Sequence, residues 1–325
     1  MREASIFTFE FKFLDKKGQP FTYFGKLGRI SRDGLILHQH RIFFQDIHKV
    51  EFHKNKVIVV LVPYPTISEY LSNQIIKGHN CIVLQVKSFA FEVKAILDRR
   101  CAQLQIEERL QKMTKAEIKT QFKKVNCPHC DSIIDLTGLV ESQFVHCQYC
   151  QVIFDKYTFE IPGNETYKIC PENGYYDRIQ SFTDIKCYYL INEKAFSSHT
   201  YFCSDSFAEV FFKESYLKNL SLLIGFVMVT IQKFRSLQRR NPYFKDLYQA
   251  NILAQQGEVE AAGEIYDEIM SRTFSHPGIH YNYGLAYLQV EDQRRAHFHF
   301  QKSLQVCSNY EPTKNILRKL QYLER

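Results

Sequence analysis

The first hundred residues alternate between apolar and polar positions in short runs. Four phenylalanines (Phe7, Phe9, Phe11 and Phe13) are separated by single polar residues, and a period of two is typical of a strand with one buried face. Shorter apolar runs follow between turn residues and predict a meander of strands. These runs are 27–30, 35–37, 42–44, 49–52, 57–62 and 81–86. The stretch between the last two runs predicts a loop with one helical turn.

From Ser88 onward the apolar spacing changes to that of a helix. The apolar stripe consists of Phe89, Val93, Leu97, Cys101 and Leu104. Such a stripe predicts an amphipathic helix that packs on the preceding strands. An antiparallel sheet closed by one C-terminal helix resembles a pleckstrin-homology-like (PH-like) domain, here over residues 1–113. The resemblance rests on the order of elements and implies a β-barrel with a closing helix.

Two cysteine pairs with the same internal spacing lie near the middle of the chain. Cys127-Pro-His-Cys130 is followed, after sixteen intervening residues, by Cys147-Gln-Tyr-Cys150. Two such turns at this separation predict one structural zinc ion with four thiolate ligands and no open coordination position. The segment 127–160 resembles a zinc ribbon. A redox role suits one such pair alone, but it leaves the second pair unexplained.

A second, degenerate ribbon-like unit is predicted over residues 167–206. Cys170-Pro-Glu-Asn173 and Cys203-Ser-Asp-Ser206 have the shape of Cys-x-x-Cys turns in which the second cysteine is replaced. Asn and Ser are poor zinc ligands, so we expect this unit to hold no metal. The alternative is a small sheet with buried free thiols and no relation to a ribbon.

Residues 207–240 are predicted to form an apolar helix. The part from Leu220 to Ile231 carries no charge, and its dozen or so residues are fewer than the roughly 20 that span a bilayer. Basic residues flank it on both sides, as in a helix that lies on a membrane surface. They are Lys213, Lys218, Lys233, Arg235, Arg239 and Arg240. The alternative is a buried helix, because short apolar segments usually lie in a core.

Two C-terminal segments align with an offset of 34 residues. The matching pairs are Ala250 with Gly284, Ala262 with Ala296, and Tyr266 with Phe300. This pattern resembles the tetratricopeptide repeat (TPR), in which small residues lie where two helices cross. The resemblance implies two helical pairs and a capping helix within residues 243–325. Because two repeats are fewer than the three normally needed, we expect the cap and the apolar helix to complete the core.

The TPR resemblance also implies a groove that binds peptide. Members that clamp a terminal carboxylate use two asparagines 31 residues apart, and Asn251 and Asn282 match that separation. The basic residues of the clamp are not matched, so the expected ligand is an internal segment of a protein partner. Tyr248 and Tyr281 are predicted to contact it as well. The alternative is that the chain itself fills this groove.

A basic helical linker is predicted over residues 114–126, before the first cysteine pair. Four lysines recur at helical spacing from the end of the preceding helix into this linker: Lys112, Lys115, Lys119 and Lys123. Such a stripe could bind the phosphates of a nucleic acid, although a solvated helix face has the same composition. The net charge of +7 permits an anionic partner without requiring one.

The composition is that of a globular chain with two or three domains, since 45% of its 325 residues are hydrophobic. Enzyme signatures such as G-x-S-x-G and H-E-x-x-H are absent, and the N-terminus lacks the pattern of a signal peptide. The sequence therefore predicts an α+β multidomain, cytoplasmic, non-enzymatic adaptor for a protein partner. The alternatives are a nucleic-acid-binding accessory protein and peripheral membrane association through the PH-like domain and the apolar helix.

Overall fold

The computed structural model describes most of the chain and divides it into two compact units. The described residues are 7–53, 56–76, 78–115, 122–164, 166–190, 193–218, 223–238 and 241–323. The N-terminal unit is Met1–Gly138 and the C-terminal unit is Leu139–Arg325. Both contain strands and helices, so the predicted α+β class is confirmed.

Seven antiparallel strands form one sheet in the N-terminal unit. They are β1 (Phe7–Leu14), β2 (Lys26–Ile30), β3 (Gly34–Leu37), β4 (His40–Phe43), β5 (Ile47–His53), β6 (Lys56–Leu61) and β7 (Cys81–Val86). Their order in the sheet is β4-β3-β2-β1-β7-β6-β5. All the predicted strands are present, but the expected barrel is not closed, because the described pairings leave β4 and β5 as two separate edges.

The core of this unit lies between the sheet and one long helix. The inward residues of β1, Phe9, Phe11 and Phe13, are buried. They pack in the same cluster as Val93 and Leu97 of helix α2 (Ala90–Lys112). A single helical turn, α1 (Glu69–Ser72), lies in the predicted loop. Phe89 does not belong to the buried stripe, because it precedes the helix with a left-handed backbone (φ 61°) and is exposed.

Two short hairpins flank the cysteine pairs. In the N-terminal unit, β8 (Lys124–Asn126) pairs with β9 (Ile133–Asp135). In the C-terminal unit, β10 (Phe144–His146) pairs with β11 (Ile153–Asp155). Each hairpin encloses one cysteine pair, Cys127 and Cys130 in the first and Cys147 and Cys150 in the second.

A three-stranded antiparallel sheet follows in the C-terminal unit. Its strands are β12 (Tyr167–Ile169), β13 (Tyr176–Leu190) and β14 (Glu193–Ser204), in that order. The register of β13 and β14 runs from Ile179 opposite Ser204 to Leu190 opposite Glu193, whereas β12 pairs only with the first three residues of β13. The sheet is therefore a long two-stranded ribbon with a short third strand at its base.

Seven helices complete the described part of the C-terminal unit. They are α3 (Asp205–Lys218), α4 (Leu223–Gln238), α5 (Leu247–Gln255), α6 (Val259–Arg272), α7 (Pro277–Gln289), α8 (Gln293–Val306) and α9 (Glu311–Leu323). The range 207–240, which is predicted to be one apolar helix, falls on two described helices, α3 and α4. Phe212 of α3 packs in one cluster with Val229 of α4, so the two helices lie side by side. None of the described helices combines the length and hydropathy of a membrane span.

The two predicted helical pairs are α5 with α6 and α7 with α8, and α9 follows as the cap. The small residues Ala250, Ala262 and Ala296 are fully buried. Gly284 allows close packing of α7 on α8, because a Cβ at this position would lie 2.5 Å from the ring of Phe300. The spacing of small and aromatic residues is therefore explained by close packing of the paired helices. That these helices are TPR repeats stays a prediction.

Strands contribute to the core of these helical pairs. Phe144 and Ile153 of the β10–β11 hairpin and Tyr167 and Tyr176 of the three-stranded sheet belong to the same buried cluster as the helices. The cap contributes as predicted, through Ile316, Leu317 and Leu320. Among the described side chains of α4, none belongs to this cluster, and Val229 packs in a separate cluster on α3.

A buried histidine lies in an aromatic pocket of this core. The ring of His276 lies 5.0 Å from Tyr176 and 5.4 Å from Phe244, measured between centroids. Its Nδ1 accepts a hydrogen bond from the Gly278 N–H, which requires that nitrogen to be unprotonated. Burial lowers the pKa of His276 from 6.5 to about 3, and the charge of His280 acts in the same direction.

This pocket makes the unit sensitive to acid. His276 stays neutral in the folded state, whereas in the unfolded chain it takes up a proton below its ordinary pKa, so stability is lost as the pH falls through that value. Lowering the pH from 6 to 5 should therefore reduce the free energy of unfolding by about 1 kcal/mol through this residue. Urea unfolding of the wild type and of His276→Gln at both pH values measures this difference. An equal pH dependence in both proteins would contradict it.

Candidate metal centre

Each cysteine pair lies in a turn with the same backbone hydrogen bonds. The Cys127 N–H donates to the Ser132 carbonyl (2.9 Å), and the Asp131 N–H donates to the Cys127 carbonyl (2.8 Å). At the second pair, Cys147 and Gln151 make the equivalent bonds at 2.8 and 2.7 Å. Asp131 and Gln151 both have a left-handed backbone, which closes the turn after the second cysteine.

The two turns bring four thiols together. The Sγ atoms of Cys127, Cys130, Cys147 and Cys150 all lie within 4.8 Å of one another. None of these residues is more than 6% exposed. Thiolates bound to one tetrahedral zinc at about 2.3 Å lie about 3.8 Å apart, so the group fits a metal ion of this kind after a small contraction. The sulfur cluster could therefore hold a metal, as the spacing predicts.

The first turn is held by helix α2 within the N-terminal unit. Arg109 of the helix forms an ion pair with Asp135 of β9. A second pair joins Arg99 to Asp131 in the turn itself, at 3.7 Å. The ring of Phe91 also packs on that of His129, between the two cysteines.

The second turn is held by the helical part of the C-terminal unit. The Asn309 side chain accepts from the His146 N–H (2.9 Å) and donates to the His146 carbonyl (2.8 Å). The ring of His146 packs edge-on against Tyr310. Burial lowers the pKa of His146 to about 3, so this residue next to Cys147 is a neutral packing residue in the folded protein.

A third turn with the same backbone geometry begins at Cys170. The Cys170 N–H donates to the Tyr175 carbonyl, and the Gly174 N–H donates to the Cys170 carbonyl, both at 2.8 Å. Gly174 has the left-handed backbone that Asp131 and Gln151 have in the other turns. The prediction that residues 170–174 have the shape of a cysteine turn is therefore confirmed for the backbone.

A polar cluster takes the place of ligands at this third turn. Asn173 Nδ2 donates to Ser206 Oγ at 3.2 Å, and Ser204 Oγ lies 3.0 Å from Ser206 Oγ. The Cys170 thiol donates to a carboxylate oxygen of Glu172. Burial raises the pKa of Cys170, and the Glu172 hydrogen bond raises it further, which favours the thiol over the metal-binding thiolate. The side chain of Cys203, the other predicted member, lies outside the described residues.

The asparagine pair predicted to bind peptide holds the backbone of the chain itself. Asn282 accepts from the Tyr176 N–H at 2.7 Å and donates to the Tyr176 carbonyl at 2.7 Å. Asn251 donates to the same carbonyl at 3.1 Å, and its Oδ1 accepts from Asn282 and from Tyr266. Both asparagines are fully buried.

The two tyrosines of the predicted groove are brought near the asparagines but have different roles. Tyr281 is buried and packs against Phe300 and Tyr310. Tyr248 is half-buried on α5. In this structure the extended segment held by the asparagine pair is the start of β13, so these two residues are not open to a second peptide. The physical reason is that the backbone N–H and carbonyl of Tyr176 already bind both side-chain amides.

The predicted lysine stripe does not form one continuous helix. Helix α2 ends at Lys112, and Met113 is extended, so Lys112 and the lysines that follow do not lie on one continuous helix. Lys115 and Lys123 are exposed. Lys119 lies outside the described residues. Binding of anions by these lysines stays a prediction.

The sequence does not predict the residue that holds the second cysteine turn. Asn309 carries no motif, and its only local signal is its position between two predicted helices. Tyr176 was also missed, because its contribution to the asparagine pair is its backbone, which has the same chemistry in every residue except proline.

Comparison with known proteins adds no relative: no protein-family model, no curated protein and no solved structure matches this chain. The metal centre is therefore argued from its geometry alone.

The four-cysteine cluster predicts one metal ion per chain. Elemental analysis of the purified protein should find one equivalent, and Cys147→Ser should abolish it and lower the thermal midpoint. Cys170→Ser is the matched control, because it removes a buried thiol from a turn of the same shape outside the cluster. Two ions per chain, with one lost in Cys170→Ser, would show that the polar cluster also binds metal. No ion in the wild type would contradict the site.

The asparagine pair predicts a large stability effect. Asn282→Ala leaves the buried N–H of Tyr176 without its acceptor, which should cost about 2–3 kcal/mol in the free energy of unfolding. Asn315→Ala is the control, because this exposed asparagine accepts only a surface hydrogen bond from Arg318 and should cost about 0.5 kcal/mol or less. Urea unfolding measures both. Equal stability of the two variants would contradict the structural role of the pair.

Proposed function

We propose that this protein is a non-enzymatic adaptor for a protein partner, stabilised by one structural zinc ion. Four buried thiols in two cysteine turns support zinc, since tetrahedral sulfur sites suit zinc or iron. With all four positions taken by protein ligands, the ion has no place for a substrate. Its contribution would be to hold the cysteine turns in place.

The proposed adaptor combines a PH-like domain and a TPR-like domain. The strand order β4-β3-β2-β1-β7-β6-β5, followed by a single helix, supports the first assignment. The helical pairs α5–α6 and α7–α8, with small residues at their crossings, support the second. Both domain types serve mainly to present binding surfaces.

The partner site is proposed at the β13–β14 ribbon instead of the TPR-like groove, which the chain occupies itself. Beyond Arg178, the described strand pairings of β13 involve β14 alone, and those of β14 involve β13 alone. Within the described residues, each strand therefore has one edge of backbone N–H and C=O groups without a neighbouring strand, apart from the Ile179 N–H, which donates to the Thr166 carbonyl (2.8 Å). This unpaired edge is the observation that carries the proposal.

An unpaired strand edge binds an extended segment of another chain by continuing the sheet. The main-chain hydrogen bonds supply affinity for any extended backbone, and alternate side chains supply specificity. The asparagine pair shows the same principle within the chain, because it recognises an extended backbone through its amide groups. The proposed ligand is thus an internal extended segment of a partner protein.

A shortened hairpin tests this proposal. Replacing residues 183–200 by Asn-Gly would join Phe182 to Tyr201, which lie opposite each other, through a turn that suits two-residue hairpins. Partners recovered by affinity purification with nuclease treatment should be lost. Titration of the purified partner should then show binding at least about tenfold weaker for the shortened protein.

Two controls accompany the shortened hairpin. Val140→Ser changes an exposed residue elsewhere in the C-terminal unit and should retain the partner. Metal content and thermal midpoint should be unchanged in both proteins, which shows that the fold is intact. Equal partner affinity of the shortened protein would contradict the ribbon as the site. Recovery abolished by nuclease in every variant would favour the nucleic-acid alternative.

A further inference from the structure

Helix α4 presents a broad apolar face to solvent. Its one fully buried side chain among those described is Val229, which packs against α3. Five large apolar side chains are between 41% and 59% exposed: Phe226, Val227, Met228, Ile231 and Phe234. At 3.6 residues per turn, these five residues cover about 200° of the helix surface. We call them the α4 apolar face.

Exposed apolar surface of this extent indicates an interaction site, because soluble proteins rarely leave large contiguous apolar patches uncovered. Among the described side chains within this arc, the polar one is that of Thr230. Its hydroxyl donates to the Phe226 carbonyl of the same helix (2.9 Å) and accepts from Tyr216 (3.2 Å), so both of its hydrogen-bonding roles are taken up within the chain. The chemistry of the face is therefore that of hydrocarbon contact.

The charge around this face limits what can cover it. Six basic residues and one acidic residue, Glu214, lie in the sequence from 213 to 240. Of the basic residues, Lys233 pairs with Glu209 of α3 at 3.0 Å. The remaining excess of positive charge repels a second copy of the same face and attracts an anionic surface.

We propose that the α4 apolar face docks on an anionic lipid membrane. The helix would lie in the plane of the interface, with Phe226, Ile231 and Phe234 between the headgroups and the acyl chains and with basic residues near the lipid phosphates. At 16 residues, the helix is about 24 Å long, which is less than the thickness of the hydrocarbon core. It therefore lies on the membrane without crossing it.

Vesicle binding of the full chain, with its metal, tests this docking. The protein should co-sediment with vesicles that contain about 30% phosphatidylserine in phosphatidylcholine, and binding to pure phosphatidylcholine should be at least about tenfold weaker. The double variant Ile231→Asp/Phe234→Asp should lose at least about tenfold in binding to the anionic vesicles, because it places charges on the apolar face. Both residues are exposed, so the thermal midpoint and metal content should stay close to the wild type.

The matched control is Phe298→Asp, which changes an exposed phenylalanine on α8 and should leave vesicle binding unchanged. Unchanged binding of the double variant would overturn the proposal, as would absence of wild-type binding to anionic vesicles. Sedimentation velocity tests the main alternative, in which the α4 apolar face binds a second copy of the chain. A wild-type dimer that the double variant converts to a monomer, without vesicle binding, would assign the face to a second copy of the chain.

Discussion

The C-terminal unit depends on the pairing of two buried asparagine amides with the backbone N–H and carbonyl of one residue, Tyr176. An amide side chain carries both a donor and an acceptor, so Asn282 can bind the N–H and the carbonyl of Tyr176 together. These groups are buried, and each would cost about 1–3 kcal/mol if left unpaired. The start of β13 is therefore fixed at one residue. A slip of one position would also turn the Tyr176 ring away from its pocket.

The fixed position of Tyr176 determines where the neighbouring parts of the C-terminal unit lie. The Tyr176 ring packs on His276, and a Cβ at Gly278 would lie 2.6 Å from that ring, so the glycine is required for the close approach. The turn that begins at Cys170 ends immediately before Tyr176, and the β13–β14 ribbon extends from it. The groove that would serve a foreign peptide in a TPR protein is thus part of the hydrophobic core here. Any partner must use another surface.

The three cysteine turns show that the same backbone geometry can form with or without a place in the thiol cluster. Cys127, Cys147 and Cys170 begin turns with the same pair of hydrogen bonds, yet only the first two turns contribute to the four-thiol cluster. At the third, hydrogen bonds among Asn173, Ser204 and Ser206 fill the space where ligands would converge. The turn therefore forms without a second thiol, because a left-handed residue and two backbone hydrogen bonds suffice to close it.

Local patterns in the sequence determined the seven strands of the N-terminal sheet, the helix α2, the helical pairs and the cysteine cluster. Each of these depends on spacing between neighbours, by twos in a strand, by three to four in a helix and by three in a cysteine turn. Only the tertiary structure decided that Tyr176 fills the groove, that Asn309 supports the second turn and that α3 and α4 are two separate helices. Asn251 lies 75 residues from Tyr176, and Asn309 lies 163 from His146. Backbone groups are chemically alike, so a side chain that binds a distant one leaves no periodicity for the sequence to reveal.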